Sequence, residues 1–362
     1  MFSRSITARR RNAQAGAAAL LAVSGVLVLA GCQGDEPAPT VTPTATAVAP
    51  VTSVRALPPE PAAQAVWPLT GVASAKIVKR PTLSVKIENS SDARPQTGLE
   101  DADMVWEEVV EGGITRYIAM FNSTLPKEMG PVRSVRPMDA NIIAPFGGML
   151  AYSGGQRPFI DRVIHAGIQS VVPTVAGGGF YRIGTRPAPH NMYASPKDVL
   201  ARSAKGHKAA PRTQFDYADS VAGSTAATQG KAARTLAVTL TPIGHPTWHW
   251  DAKSSTFLRS EGATPAVSAA GKRFSATNVV VLRVPLETTR YHDPIGTPVP
   301  ETMVIGSGKA LVATGGKAVE AKWSKKSTKS QFVLTVGGKK VELAPGKTWF
   351  ELMPTTGSWS LG

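Results

Sequence analysis

Apolar and polar residues begin to alternate in an ordered way near Trp67. Leu83-Ser84-Val85-Lys86-Ile87 changes polarity at every position, the pattern of a half-buried strand. Residues 104–106 and 114–121 read as further strands around Gly112-Gly113. A helix is predicted over 137–146, a buried strand over 149–153, a helix over 158–165 with Pro158 near its first turn, and a strand over 168–172. Strands alternating with helices predict an α/β N-terminal domain over 67–200 with some parallel pairing.

From 201 to 235 the composition shifts to Ala, Ser, Thr, Gly and Lys, which predicts a linker or surface insertion. Beyond it the helical period disappears. Short apolar runs at 236–240, 247–250, 278–284, 302–305, 318–323, 331–336 and 349–352, punctuated by Gly and Pro, predict a mostly β C-terminal domain over 236–362. Gly315-Gly316 and Gly337-Gly338 stand between apolar runs as hairpin turns.

The start of the chain follows another rule. Arg4, Arg9, Arg10 and Arg11 stand without any acid before an apolar stretch over 17–30, which ends in Leu29-Ala30-Gly31-Cys32. That order predicts a lipoprotein signal peptide over 1–31, cut before Cys32, whose thiol takes a fatty acid. The apolar stretch falls short of the roughly 20 residues that cross a bilayer core. Cys32 is the only cysteine, so lipidation leaves no thiol for a disulfide, for catalysis or for a metal. Residues 32–66, rich in Pro, Thr and Ala, cannot bury enough apolar surface to fold and predict a disordered tether. At about 3.1 Å per residue such a tether reaches on the order of 100 Å. The expected location is the outer face of the cytoplasmic membrane, reached through the lipid anchor, and Gln33 in place of Asp after the cysteine favours retention there.

Charge narrows the partners. Lysine and arginine exceed aspartate and glutamate by 15, and nine lysines fall within 309–347 against Glu320 and Glu342. Lysines in short strands protect sheet edges from aggregation; an anchored basic domain also attracts anionic lipid or wall polymer. Nucleic acid is excluded as a partner, because no groove-reading motif is present and export separates the protein from the genome.

The candidate chemistry lies in the first half. Glu100, Asp101, Asp103, Glu107, Glu108 and Glu111 place six carboxylates in twelve residues, flanked by Arg94, Arg116, Arg133 and Arg136. On a strand Glu107 and Glu108 point to opposite faces, so they do not form one paired site. Three uses remain open: bidentate ion pairs that fix loops, guanidinium groups that hold a phosphate or carboxylate of an envelope polymer, or acid-base catalysis on envelope polysaccharide by Glu88, Glu107, Glu108 or Glu111 with His190. If a ligand binds, the expected cleft is formed by Asn89, Arg94, Gln96, Glu111, Arg116, Arg133, Arg136, His190 and Asn191, at strand ends and in Gly/Pro-rich loops. No metal or cofactor is expected: Pro246 and the surrounding tryptophans argue against His245 and His249 as ligands on a helix face, and Gly177-Gly178-Gly179 lacks the Lys-Ser/Thr of a phosphate loop.

Several motifs, in order, resemble the YerB-like family of bacterial lipoproteins, whose paired domains are classed as domains of unknown function. They are Val85-Lys86-Ile87-Glu88-Asn89, Ala93-Arg94-Pro95-Gln96-Thr97-Gly98-Leu99, Ala102-Asp103, Glu107-Glu108, Glu111-Gly112-Gly113-Ile114-Thr115-Arg116, Gly130-Pro131-Val132-Arg133-Ser134-Val135-Arg136-Pro137 and Pro189-His190-Asn191-Met192-Tyr193. Trp250-Asp251, Asn278-Val279-Val280, Ile305-Gly306-Ser307-Gly308, Trp323 and Pro345-Gly346-Lys347-Thr348-Trp349 resemble the family's β half. The loop Gly262-Ala263-Thr264-Pro265-Ala266-Val267 departs from it by lacking a His after the Pro, and no role is assigned to that loop. The resemblance implies envelope anchoring and two domains, with no established reaction. The expected function is a binding or scaffolding lipoprotein that contacts peptidoglycan, another anionic envelope polymer or a wall-building protein; the alternative is a hydrolase or transferase of envelope polysaccharide.

Overall fold

The computed structural model describes residues 64–362. Cys32, the predicted signal and the tether through residue 63 lie outside the described residues. The first half supplies β1 (Leu83–Glu88), β2 (Met104–Val109), β3 (Thr115–Phe121), β4 (Met149–Ala151) and β5 (Gln169–Val171), with helices α1 (Asp139–Ile143) and α2 (Arg157–His165). β3 pairs antiparallel with both β1 and β2, whereas β4 joins β1, and β5 joins β4, in parallel.

The α/β expectation for this half holds only in part, since the chain is mostly β. Parallel pairing within it is confined to the three-residue strands β4 and β5. The helix expected over 137–146 shrinks to the five residues of α1. Prolines bracket it: Pro137 lies just before, and Pro145 has no N–H to continue the ladder, although Ala144 itself keeps helical backbone. Gly147 and Gly148 then take positive φ, which turns the chain into β4. α2 meets the expectation almost residue for residue, with Pro158 in its first turn and Arg162 and His165 in its last, where positive charge is favourable.

Both halves contribute to one twelve-stranded sheet. Its path runs Lys339–Lys340, Val333–Val336, Lys317–Lys325, Gly306–Thr314, Asn278–Val284, Thr348–Pro354, β2, β3, β1, β4, β5. The seam is a parallel pairing of β2 with Thr348–Pro354, which sets Glu107 opposite Glu351. Asn278–Val284, the sequence NVVVLRV, is apolar along most of its length because both faces of the sheet are covered at that point. The predicted turns at Gly315-Gly316 and Gly337-Gly338 have positive φ at both positions, the geometry that matches a hairpin's twist. Lysines line the outermost strand, Lys339–Lys340, as edge protection requires. The stretch 201–235 is tied to the second half: Lys231–Ala232 joins the large sheet on Lys317–Lys325, and Asp216–Tyr217 forms a separate two-stranded sheet with Glu342–Leu343.

Two apolar cores lie on the two faces. On one, α1 and α2 cover Trp106, Ile118, Met120, Leu282 and Phe350, with Trp106 stacked on Phe350 at 3.8 Å between ring centroids. On the other, a second sheet of Thr264–Pro265, Thr256–Glu261, Pro246–Asp251, Thr235–Thr239 and Ser358–Leu361 packs Trp248 and Phe257 against Tyr117, Val279 and Trp349. Strand alternation therefore decides which core each side chain of the central sheet enters.

Candidate functional site

Register aligns Glu88 of β1, Arg116 of β3 and Glu108 of β2 in one row on the helix-covered face. Glu88 is buried, and its Oε1 is met by Nδ1 of His190 at 3.0 Å, the Ser90 hydroxyl at 3.0 Å and Nε of Arg133 at 3.4 Å. Close by, Glu111 is held by Arg136 through contacts of 2.5 and 2.7 Å, with Nη2 of Arg116 at 3.9 Å. Nη1 of Arg116 donates to the Ser134 carbonyl at 3.0 Å. Three guanidinium groups thus share this end of the sheet with two buried carboxylates. Burial, followed by repulsion from Arg136 and Arg133, lowers the pKa of Arg116 to about 10 against the pull of Glu111 and Glu88. Arg116 and Arg136 are buried, whereas the side chains of Arg133 and His190 are 20% and 19% exposed. Arg133 and His190 are therefore the members of this cluster that reach solvent, where the exposed Asp92 lies 3.8 Å from His190.

Further along the same face, the Lys86 ammonium contacts Glu108 and lies 2.8 Å from Asp139 of α1; all three side chains are fully buried. Two carboxylates against one ammonium leave one negative charge too many in a dry interior. Burial and the neighbouring Asp139 push the Glu108 carboxyl up to about 8, despite Lys86. Burial thus favours the protonated form of Glu108, and the group is sealed from any substrate.

Glu107 points to the opposite face, as alternation requires. There Arg259 is completely buried, with Glu107 and Glu351 each at 2.7 Å and Glu261 at 3.0 Å. Its guanidinium also stacks 4.9 Å from the Trp349 ring centroid and 5.4 Å from that of Trp248. The Trp248 indole N–H and the Tyr117 hydroxyl donate to Glu351 and Glu261 respectively. Burial, then the adjacent Glu107, raises the Glu351 pKa well above the carboxylate range. A chain of hydrogen bonds leads outward: Glu107 accepts from Thr115 at 2.6 Å, Asn89 donates to Thr115 at 2.8 Å, and Nε of Arg94 and Nε2 of Gln96 each donate to Asn89 Oδ1 at 3.0 Å.

The nine residues expected to share a cleft therefore divide. Glu111, Arg116, Arg133, Arg136 and His190 gather on the helix-covered face with Glu88. Asn89, Arg94 and Gln96 belong to the network on the other face. Asn191 lies apart, its Oδ1 accepting from exposed Arg182 at 2.5 Å. The carboxylates considered for catalysis divide likewise, Glu107 from Glu88, Glu108 and Glu111. His190, expected in the cleft and considered for acid-base catalysis, bonds the buried carboxylate of Glu88.

Sequence reasoning missed Lys86, Asp139, Arg259, Glu261 and Glu351. A lysine inside an alternating strand reads as solvent-facing, and the strand Thr256–Glu261 was not predicted, because its only strong apolar pair is Phe257-Leu258. Glu351 in Trp349-Phe350-Glu351-Leu352 carried the signal: an acid within a run of large apolar residues needs a buried partner. Among the described residues no group of three or more His, Cys, Asp or Glu side chains is arranged to hold a metal ion.

Two family models match the chain: the N-terminal domain of a protein of unknown function, DUF3048, over residues 69–215, and the C-terminal domain of the same family over residues 236–350. The chain belongs to the DUF3048 family. It is 28% identical over 305 residues to the Bacillus subtilis (strain 168) protein named "Putative lipoprotein YerB", covering 82% of this chain and 88% of that protein. The crystal structure of YerB from Bacillus subtilis has the same fold, with a TM-score of 0.69 at 23% identity over 82% of this chain and all of that one. The DUF3048 models leave 216–235 between them, yet Asp216–Tyr217 and Lys231–Ala232 bind it to strands of the second half. Among the described residues no helix is long and apolar enough to cross a membrane.

Proposed function

We propose that this DUF3048 protein is a lipid-anchored binding or scaffolding protein on the outer face of the cytoplasmic membrane, and that it holds a phosphate- or carboxylate-bearing group of an envelope polymer at Arg133 and His190. The observation that carries this is local to one end of the helix-covered face: Arg116, Arg133 and Arg136 gather around the two buried carboxylates Glu88 and Glu111, and the partly exposed Arg133 and His190 stand at its solvent edge, with exposed Asp92 3.8 Å from His190. Guanidinium suits such groups because its planar fork matches two oxygens at once. The name of the Bacillus subtilis relative supports the anchor.

The hydrolase or transferase reading has less support. Glu107, Glu108 and Glu111 are buried against Arg259, Lys86 and Arg136, and the sheet itself separates Glu107 from the other two. A glycosidase needs two carboxyl groups flanking an accessible bond.

Co-sedimentation of the full chain with purified cell wall tests the binding. Arg133→Gln is expected to reduce the bound fraction, with no soluble fragments released by the wild type; fragment release that disappears in Glu88→Gln would reverse the assignment. Cys32→Ala is expected to abolish fatty-acid labelling and membrane retention, and unchanged labelling would remove the anchor.

A further inference from the structure

A separate cavity of about 310 Å3 opens on the other face of the sheet, lined by Arg94, Pro95 and Gln96 from the first half and by Glu261, residues 264–267 and Phe274 from the second. Its size falls at the lower end for small-molecule sites, roughly 300–1,000 Å3. The loop after Glu261, assigned no role from its residues alone, forms one wall. The amide of Ala269 donates to the Gln96 carbonyl at 2.8 Å and holds the two walls together. Neither half makes the cavity alone.

Its polar groups come as a pair of opposite charges. Glu261 is anchored through one oxygen only: Oε1 takes Nε and Nη2 of Arg259 and the Tyr117 hydroxyl at 3.0 to 3.2 Å. Oε2 faces Arg94 Nη2 at 3.3 Å, and among the described residues it accepts no hydrogen bond. Arg94 is fixed by Asn89, through Nε to Oδ1 and Nη2 to the carbonyl, each at 3.0 Å, which leaves Nη1 without a hydrogen bond among the described residues. Burial alone would raise the Glu261 pKa, but Arg259 and Arg94 outweigh it and keep the carboxylate ionised. One anionic oxygen and one guanidinium nitrogen are thus held in place by separate hydrogen bonds, side by side, at the edge of walls built from Pro95, Pro265, Ala266, Val267 and Phe274.

We propose that this cavity binds a zwitterionic amino acid or short peptide with small apolar side chains, its ammonium on Glu261 Oε2 and its carboxylate on Arg94. A zwitterion replaces the long Arg94–Glu261 contact with two charge-assisted hydrogen bonds and leaves the local charge unchanged. A simple anion would meet the carboxylate of Glu261, and a simple cation the guanidinium of Arg94. The apolar walls accept methyl-sized groups, and besides the ionic pair only Gln96 and Thr264 add polar side chains to the lining. This site is independent of the anion site at Arg133.

Titration calorimetry of the full chain in detergent with Ala-Ala, N-acetyl-Ala-Ala and Ala-Ala-amide tests the assignment. Ala-Ala is expected to bind, and each blocked form to bind at least about tenfold more weakly, the loss of one charge-assisted hydrogen bond. Arg94→Gln is expected to erase the preference for the free carboxylate. Val267→Trp, which puts an indole into the cavity while leaving Arg94 and Glu261 in the sequence, is expected to abolish binding while thermal unfolding stays within a few degrees. Arg133→Gln leaves dipeptide binding unchanged, so failure of the polymer site and failure of this one are separable. No heat with Ala-Ala on folded protein, equal binding of the blocked forms, or binding that survives Val267→Trp overturns the proposal.

Discussion

The two faces of the central sheet solve the same electrostatic problem in opposite ways. Under the second sheet, Arg259 is wrapped by three carboxylates and two indole rings and has no exposed surface. At the end of the helix-covered face, Arg133 and His190 share Glu88 and remain about one-fifth exposed. The sealed network is structural: it joins β2 of the first half to Thr348–Pro354 and Thr256–Glu261 of the second, so its ions cannot leave without opening the seam. The open cluster meets solvent beside the exposed Asp92. The difference teaches that dense charge in this chain takes two forms, one sealed and one open, and that exposure, more than residue type, separates them.

The largest effect should come from the sealed side. Arg259→Met leaves Glu107, Glu261 and Glu351 without their shared cation, and removing one partner from a buried ion network costs about 3–5 kcal/mol. Since a domain's whole stability is about 5–15 kcal/mol, the variant should unfold at markedly lower denaturant concentration. A midpoint equal to wild type would break the contrast between the two faces.

Next comes a pH effect from Glu108. Its folded pKa is raised to about 8, so between the unfolded carboxylate value and pH 8 the native chain keeps a proton that the unfolded chain has released. Its contribution is fully present below the unfolded pKa and is lost as pH rises toward 8, at about 1.4 kcal/mol per pH unit. Denaturant unfolding at about pH 5.5 and 7.5 should therefore show wild type losing on the order of 2 kcal/mol more than Glu108→Gln, which cannot release that proton. Parallel slopes for the two proteins would show that Lys86 satisfies both carboxylates in their charged forms.

The last stability effect belongs to the open cluster. Arg133→Gln should cost less than Arg259→Met, about 1–3 kcal/mol, because Ser90 and His190 still hold the buried Glu88 carboxylate, while wall binding falls. A cost of several kcal/mol with unchanged wall binding would place Arg133 with the structural network and sharpen the comparison toward the cavity at Glu261.

Much of this was legible along the chain. Strands at 83–87, 104–106, 114–121 and 278–284 and the turns at Gly315-Gly316 and Gly337-Gly338 follow from side-chain period and from the one residue that takes positive φ without strain. The same period told that Glu107 and Glu108 face apart. The helix over 137–146 was overestimated because Pro145 removes a backbone donor and Gly147 and Gly148 take positive φ directly after it. The candidate cleft was harder to read. Asn89 follows Glu88 immediately, and one step along a strand end sends the two side chains to different networks. Glu261 stayed silent because its value depends on Arg259, two residues away on the same face, and on Tyr117, 144 residues earlier.

The amino-acid sequence by itself determined the DUF3048 motifs, the strand period, the turns and the predicted anchor at Cys32, because each depends on neighbours within a few residues. Only the tertiary structure decided that both halves pair in one sheet, that Lys86 and Arg259 are buried cations, and that Arg94 meets Glu261 across a cavity. Those facts rest on contacts between residues far apart in the chain, where burial sets whether a charge is a solvated surface group or a fixed part of the interior.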